Sequence, residues 1–103
     1  MKYRHLPGIN KPFSYLTYGT PWTATKAQTR REAFRSYDLA WEAGFRCFDT
    51  AHSYGEGEET LGLWLNDRKH RDTAVLLDKG CNPGQAGSPD IMSAALLREQ
   101  ITE

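Results

Sequence analysis

A chain of 103 residues has room for one small domain and no more. Its 39% hydrophobic and 25% charged content is that of an ordinary globular protein. Thirteen basic side chains balance thirteen acidic ones, which excludes the footprint of a nucleic-acid or anionic-membrane binder, and no apolar run nears the roughly 20 residues that span a bilayer.

The start, Met1-Lys2-Tyr3-Arg4-His5, is polar and leads into Pro7-Gly8 with no apolar signal core. Residues 1–13 read as an irregular or hairpin-like lead-in. Ser14 to Tyr18 is β-prone, stops at Gly19 and predicts the first strand. Thr20-Pro21-Trp22-Thr23 follows as a loop. A helix is predicted over roughly 26–43, with Thr25 as cap, Ala33, Tyr37, Ala40 and Trp41 on one face, and Gly44 as its terminal glycine. Phe45 to Asp49 predicts a second strand, and residues 50–57 a loop. Glu58 to Asn66 predicts a second helix with Leu61, Trp64 and Leu65 inward. Thr73 to Asp78 predicts a third strand, and Gly80 to Gly87 a loop. Ser88-Pro89 opens a third helix, with the serine as cap and the proline at the first helical position. That pattern reaches residue 103 without a glycine, proline or turn cluster.

Three strand–helix steps imply a parallel sheet. They fit the roughly 30-residue size of a βαβ repeat. They suit an open α/β sheet or part of a closing barrel, which needs about 250 residues.

Side chains alternate along a strand. Phe45, Cys47 and Asp49 are therefore expected on one face, and Val75, Leu77 and Lys79 on one face of the neighbouring strand. Asp78 is expected to face the helices. Asp49 and Lys79 fall at the carboxyl ends of adjacent strands, where parallel α/β folds bind ligands. Tyr54 follows in the loop Ala51-His52-Ser53-Tyr54-Gly55, placed to fold back over that mouth. A phenol there can give its proton to a carbonyl oxygen; a nearby ammonium favours the resulting phenolate, and Asp49 would hold that ammonium in place.

Taken singly, each residue has a structural reading. A strand-end aspartate caps turns, Tyr-Gly makes turns, and a strand-end lysine is commonly solvated. Glu56, Glu58 and Glu59 read as charges favouring a helix N-terminus. Gly55-x-Gly57 with Gly62 lacks the G-x-G-x-x-G spacing of a dinucleotide fingerprint, and Gly80, Gly84 and Gly87 lack a Gly-Lys-Ser/Thr ending. His5, His52, His70, Cys47 and Cys81 show no metal-ligand spacing, so no metal is expected. The two cysteines read as reduced thiols in a cytoplasmic protein.

The run Gly44-Phe45-Arg46-Cys47-Phe48-Asp49-Thr50-Ala51-His52-Ser53-Tyr54-Gly55 resembles the aldo-keto reductase signature. Glu58-Glu59-Thr60-Leu61-Gly62, Gly19-Thr20-Pro21-Trp22 and the lysine-bearing strand Val75-Leu76-Leu77-Asp78-Lys79 are similar to that family as well, and residues 90–103 resemble the helix before its fourth strand. The resemblance implies that residues 1–103 are the N-terminal three βα units of a (β/α)8 TIM barrel, with the rest missing. It implies an oxidoreductase that reduces aldehydes and ketones with NADPH, or NADH. Tyr54 would donate the proton, Lys79 would tune it, and Asp49 would support Lys79 and touch the nicotinamide ribose region. Gly19 and Thr20 would line the cofactor site, and Trp22 and Tyr54 the substrate side. The family's fourth residue, a histidine ending strand four, lies past residue 103, so the chain alone is expected to be inactive. Two alternatives stand beside this: a non-catalytic truncated product and a small flavodoxin-like binding module. The residues identify neither the substrate nor the oligomeric state.

Overall fold

The computed structural model describes residues 1–20, 27–81 and 93–102. A short antiparallel hairpin joins β1 (Tyr3–Arg4) to β2 (Phe13–Ser14). A parallel sheet then holds β3 (Thr17–Gly19), β4 (Cys47–Asp49) and β5 (Val75–Leu77), with β4 in the middle. Its register sets Gly19, Asp49 and Leu77 abreast at the carboxyl ends. Helices α1 (Ala27–Glu42), α2 (Gly57–Asp67) and α3 (Ala94–Thr102) follow β3, β4 and β5 in turn. No helix among the described residues is long and apolar enough to cross a membrane.

The single strand expected over Ser14 to Tyr18 is divided in two. Ser14 ends the hairpin, Tyr15 and Leu16 bend, and only Thr17–Gly19 enters the parallel sheet. The buried Ser14 hydroxyl is the cause. It accepts the amides of Arg46 and Cys47 at 3.0 and 3.1 Å and donates to the Leu16 carbonyl at 2.8 Å. These bonds fasten a turn where a continuous strand would otherwise run. Lys11 works beside it, donating to the carbonyls of Arg71 and Ala74 at 3.1 and 3.0 Å. The hairpin thereby covers the amino ends of β4 and β5.

The core lies on the opposite side, between the sheet and the two long helices. Phe48 of β4, Tyr37 of α1 and Trp64 of α2 are each fully buried, with ring centroids 5.2–6.3 Å apart. Ala33, Ala40, Leu61 and Leu65 fill the space around them. Small residues on α1 at these positions let α2 approach, while the large rings supply most of the apolar area removed from water. Burial leaves the Tyr37 hydroxyl without a hydrogen-bond partner and pushes its pKa up to about 12. Asp38 stitches the helix pair at the surface, accepting Trp64 Nε1 at 2.8 Å and a two-armed Arg68 guanidinium at 3.0 and 2.9 Å. The Arg68 contact holds the Asp38 carboxyl below its ordinary range.

Both helix ends use the same device with different residues. At α1, the Gly44 amide donates to Trp41 and the Phe45 amide to Ala40, both at 3.0 Å, with Gly44 at φ 102°. At α2, the Lys69 amide donates to Asn66 and the His70 amide to Leu65, at 3.3 and 2.9 Å, with Lys69 at φ 58°. Each is a Schellman closure, whose left-handed residue is usually glycine. This closure also corrects the face expected for Phe45. The strand begins at Cys47, and Phe45, serving the helix end, packs its ring on Tyr18 at 5.9 Å, on the helix side of the sheet. The caps expected at Thr25 and Ser88, with Pro89, lie outside the described residues. Described α3 is capped by Ser93, whose hydroxyl accepts the Leu96 amide at 3.0 Å.

The two closures predict mutations of opposite sign. Gly44→Ala forces a Cβ to 2.7 Å from the Met1 Cβ at a left-handed φ, and should destabilise the protein by about 1–3 kcal/mol. Lys69→Gly relieves the left-handed position and should stabilise it by up to about 1 kcal/mol. Urea unfolding of the intact protein measures both; a Lys69→Gly variant less stable than the parent would contradict this account.

Candidate active site

Asp49 is the last residue of the central strand, so a loop begins directly after it. Its carbonyl accepts both the backbone amide and the hydroxyl of Thr20, each at 2.9 Å. Thr20 is buried, and its hydroxyl is used in tying the end of β3 to the end of β4. Gly19, opposite Asp49, has open space where a side chain would stand, with no atom within 4 Å.

On the other flank the ladder continues past the strands. The Thr50 amide donates to Leu77 and the His52 amide to Lys79, both at 2.9 Å. These bonds carry the β5 segment two residues beyond Leu77 with its alternation intact. Lys79 therefore emerges on the face of Asp49. The loop after β4 turns back through Tyr54, whose amide donates to Ala51 at 3.0 Å and whose carbonyl accepts Gly57 at 2.9 Å. Gly55, at φ 59°, allows that reversal.

The structure brings together three of the residues singled out from sequence. The Lys79 ammonium forms an ion pair with Asp49 Oδ1 and donates to Tyr54 Oη at 3.4 Å. Its nitrogen lies 5.3 Å from the Tyr54 ring centre. Asp49 is 25% exposed at the side chain and Lys79 43%, so the cluster sits at a wet rim. The Asp49 hydrogen bond, opposed by partial desolvation and aided by Tyr54, raises the Lys79 amine above the ordinary lysine value. A cavity of about 360 Å³ opens beside it, lined by Ala51, Ser53, Tyr54, Lys79, Gly80 and Cys81. Trp22, expected on the substrate side, lies outside the described residues, as do Pro21, Gly84 and Gly87.

Other expected features sit elsewhere. His52 is beside the cluster through its backbone and lines a second cavity of about 450 Å³ between α2, α3 and the end of β5. Asp78 is on this helix side and exposed, its Oδ1 accepting the Lys79 amide at 2.8 Å. A solvated local cap accounts for an acidic residue next to the packing layer. Cys47 and Cys81 are both free and buried, and no group of metal ligands occurs among the described residues.

Sequence reasoning missed the support behind Tyr54. Arg30 of α1 reaches Glu56 at 2.7 Å and Glu59 at 3.1 Å, bracing the loop that carries the tyrosine. The glutamates had only a helix-end role in the sequence, since a partner 26 or 29 residues earlier leaves no periodic signal.

The site gives a titration test. A lysine whose folded-state value is raised stabilises the fold fully below the ordinary lysine value, and that contribution is lost as pH climbs through the raised one. In Asp49→Asn the Lys79 titration should fall back toward the ordinary value, followed by NMR of ¹³Cε-labelled lysine, with a smaller change in Tyr54→Phe. An Asp49→Asn titration matching the parent's would show that the ion pair is not what holds Lys79.

The model of the Aldo/keto reductase family matches residues 15–103. An aldo-keto reductase of Strobilurus tenacellus is 40% identical over 63 residues, 59% of this chain and 19% of that protein. The norsolorinic acid reductase of Emericella nidulans is 42% identical over 65 residues, 60% of this chain and 17% of that protein. A crystal structure from Pseudomonas aeruginosa, assigned as an aldo-keto reductase, superposes with a TM-score of 0.70 at 31% identity, over 97% of this chain and 40% of that one. The matched segments thus span under a fifth of the curated relatives' own length.

Proposed function

We propose, from the premise that this chain belongs to the aldo/keto reductase family, that it carries the proton-donating half of a carbonyl-reducing site. The observation that supports this most is the Asp49–Lys79–Tyr54 cluster at the carboxyl rim of a parallel sheet. The 40% share of the related crystal structure supports reading the strand–helix steps of residues 1–103 as the opening part of a (β/α)8 barrel. The two free thiols, Cys47 and Cys81, support a reducing, cytoplasmic site of action.

A nicotinamide, NADPH or NADH, would supply the hydride. The residues at the rim fit such a group: Gly19 leaves open space beside Asp49, and Asp49 keeps a partly exposed carboxylate able to accept from ribose hydroxyls. Thr20 would serve indirectly, by holding the Asp49 backbone.

The chain's own task is the proton. Tyr54 Oη gives its proton to the carbonyl oxygen of an aldehyde or ketone as hydride reaches the carbonyl carbon. The phenolate left behind lies within reach of the Lys79 ammonium, which stabilises that charge. Asp49 keeps the amine charged and aimed, so the phenol is the group that gives up the proton. The cavity beside Tyr54 and Ser53 would receive the carbonyl end of the substrate. General acid catalysis of this type is worth about 10²–10⁴-fold.

Oxidation of NADPH by the intact protein across a panel of aldehydes and ketones tests the reading. Tyr54→Phe and Lys79→Met should each lower kcat by about 10²-fold or more while the protein stays folded. A variant of either kind with parental rates would remove that residue from the chemistry.

A further inference from the structure

Lys79 stands two residues beyond the last ladder position of β5, where a single interstrand bond still carries the alternation of the strand. On one side its carbonyl is held by the His52 amide at 2.9 Å. Among the described residues, the other side of β5 pairs with no strand. Past the end of the strand, α3 meets the turn after the lysine. The Cys81 amide donates to Gln100 Oε1 at 2.7 Å, a bond buried from solvent. Gly80 passes so close that a Cβ there would lie 2.9 Å from the same oxygen and 3.3 Å from Leu97 Cδ1.

The turn itself is strained. Cys81 is a buried non-glycine residue at φ 61°. Such a conformation is costly for a residue with a side chain and persists only where its surroundings over-determine it. The hydrogen bond that the Cys81 amide gives to Gln100 and the lack of room at Gly80 hold the backbone of the turn, and the Cys81 thiol adds a long contact to the Ser93 carbonyl at 3.9 Å. Gln100 Nε2 makes no hydrogen bond, so the carboxamide engages the turn through its oxygen alone.

We infer that Gln100 of α3 is a positioning residue for the Lys79 amine: by fixing the Gly80–Cys81 turn it sets where the lysine stem can swing, and so keeps the amine on Asp49 and beside Tyr54. The inference rests on the carbonyl-reducing reading for its purpose, but on the contacts around the turn for its geometry. Gln100 touches no reacting atom; it acts through the backbone of residues 80 and 81. Without its oxygen the left-handed turn has no buried acceptor for the Cys81 amide, and relaxation of that turn moves the base of the lysine.

The test follows Lys79 by NMR of ¹³Cε-labelled lysine in the intact protein. Gln100→Met removes the acceptor at nearly constant volume, and Gly80→Ala displaces the carboxamide without deleting it. Each should bring the Lys79 titration down to the ordinary lysine value and weaken its contact with the Tyr54 ring. Leu96→Ala, which removes buried α3 volume without touching the bond or the atoms that face Gly80, should leave both signals as in the parent. A Lys79 titration unchanged in Gly80→Ala and in whatever folded Gln100→Met is obtained would overturn the inference, as would an equal fall in Leu96→Ala. The readout does not require turnover. A moved lysine in a protein that reduces no carbonyl would uphold the positioning role and defeat the reaction assignment, whereas an active protein with an unmoved lysine would do the reverse.

Discussion

The ion pair between Lys79 and Asp49 depends on a simple feature of parallel strands. The register places Asp49 opposite Leu77, so Lys79 begins about 6.6 Å further along the same face, two residues at 3.3 Å each. A four-carbon stem covers that distance by reaching back. Neither charge has to leave water fully, because both stand at the rim. Around this pair the remaining elements act as supports: Thr20 and the His52 amide extend the ladder past its last formal residue, Gly55 returns Tyr54 over it, and Arg30 braces the returning loop.

The same alternation explains why the two faces of the sheet differ so strongly. Phe48 faces the helices and is enclosed by rings, whereas Asp49 faces the mouth. Leu77, opposite Asp49, is exposed. Consecutive residues in one three-residue strand thus serve the core and the site in turn. A one-residue slip in the register of β4 would bury a carboxylate among aromatic rings and expose a phenylalanine, and both changes cost free energy. The core therefore enforces the geometry of the site.

What was legible in the sequence follows from how local each cause is. The face of Ala33, Tyr37 and Ala40 and the terminal role of Gly44 are written in helical spacing and in glycine's freedom at positive φ, and both are found. Asp49 and Lys79 could be assigned to neighbouring strand ends because alternation needs only a few residues. The division of the first strand could not be read, since it depends on Ser14 meeting amides 32 and 33 residues away. Lys69 at a position that favours glycine carries no composition signal. Arg30 and Gln100 are ordinary helix residues by pattern, and only the fold reveals that one faces the Tyr54 loop and the other the turn after Lys79.

The hairpin has a bearing on how the polypeptide acquires its shape during synthesis. Lys11 finds its acceptors on Arg71 and Ala74, 60 and 63 positions later. At about 5–20 residues per second, a ribosome needs roughly 3–13 s to deliver both after the lysine has been joined. For that interval the opening segment has no floor to close, and its aromatic residues must wait beside a growing chain. The hairpin is therefore locked only once the chain has been made as far as Ala74.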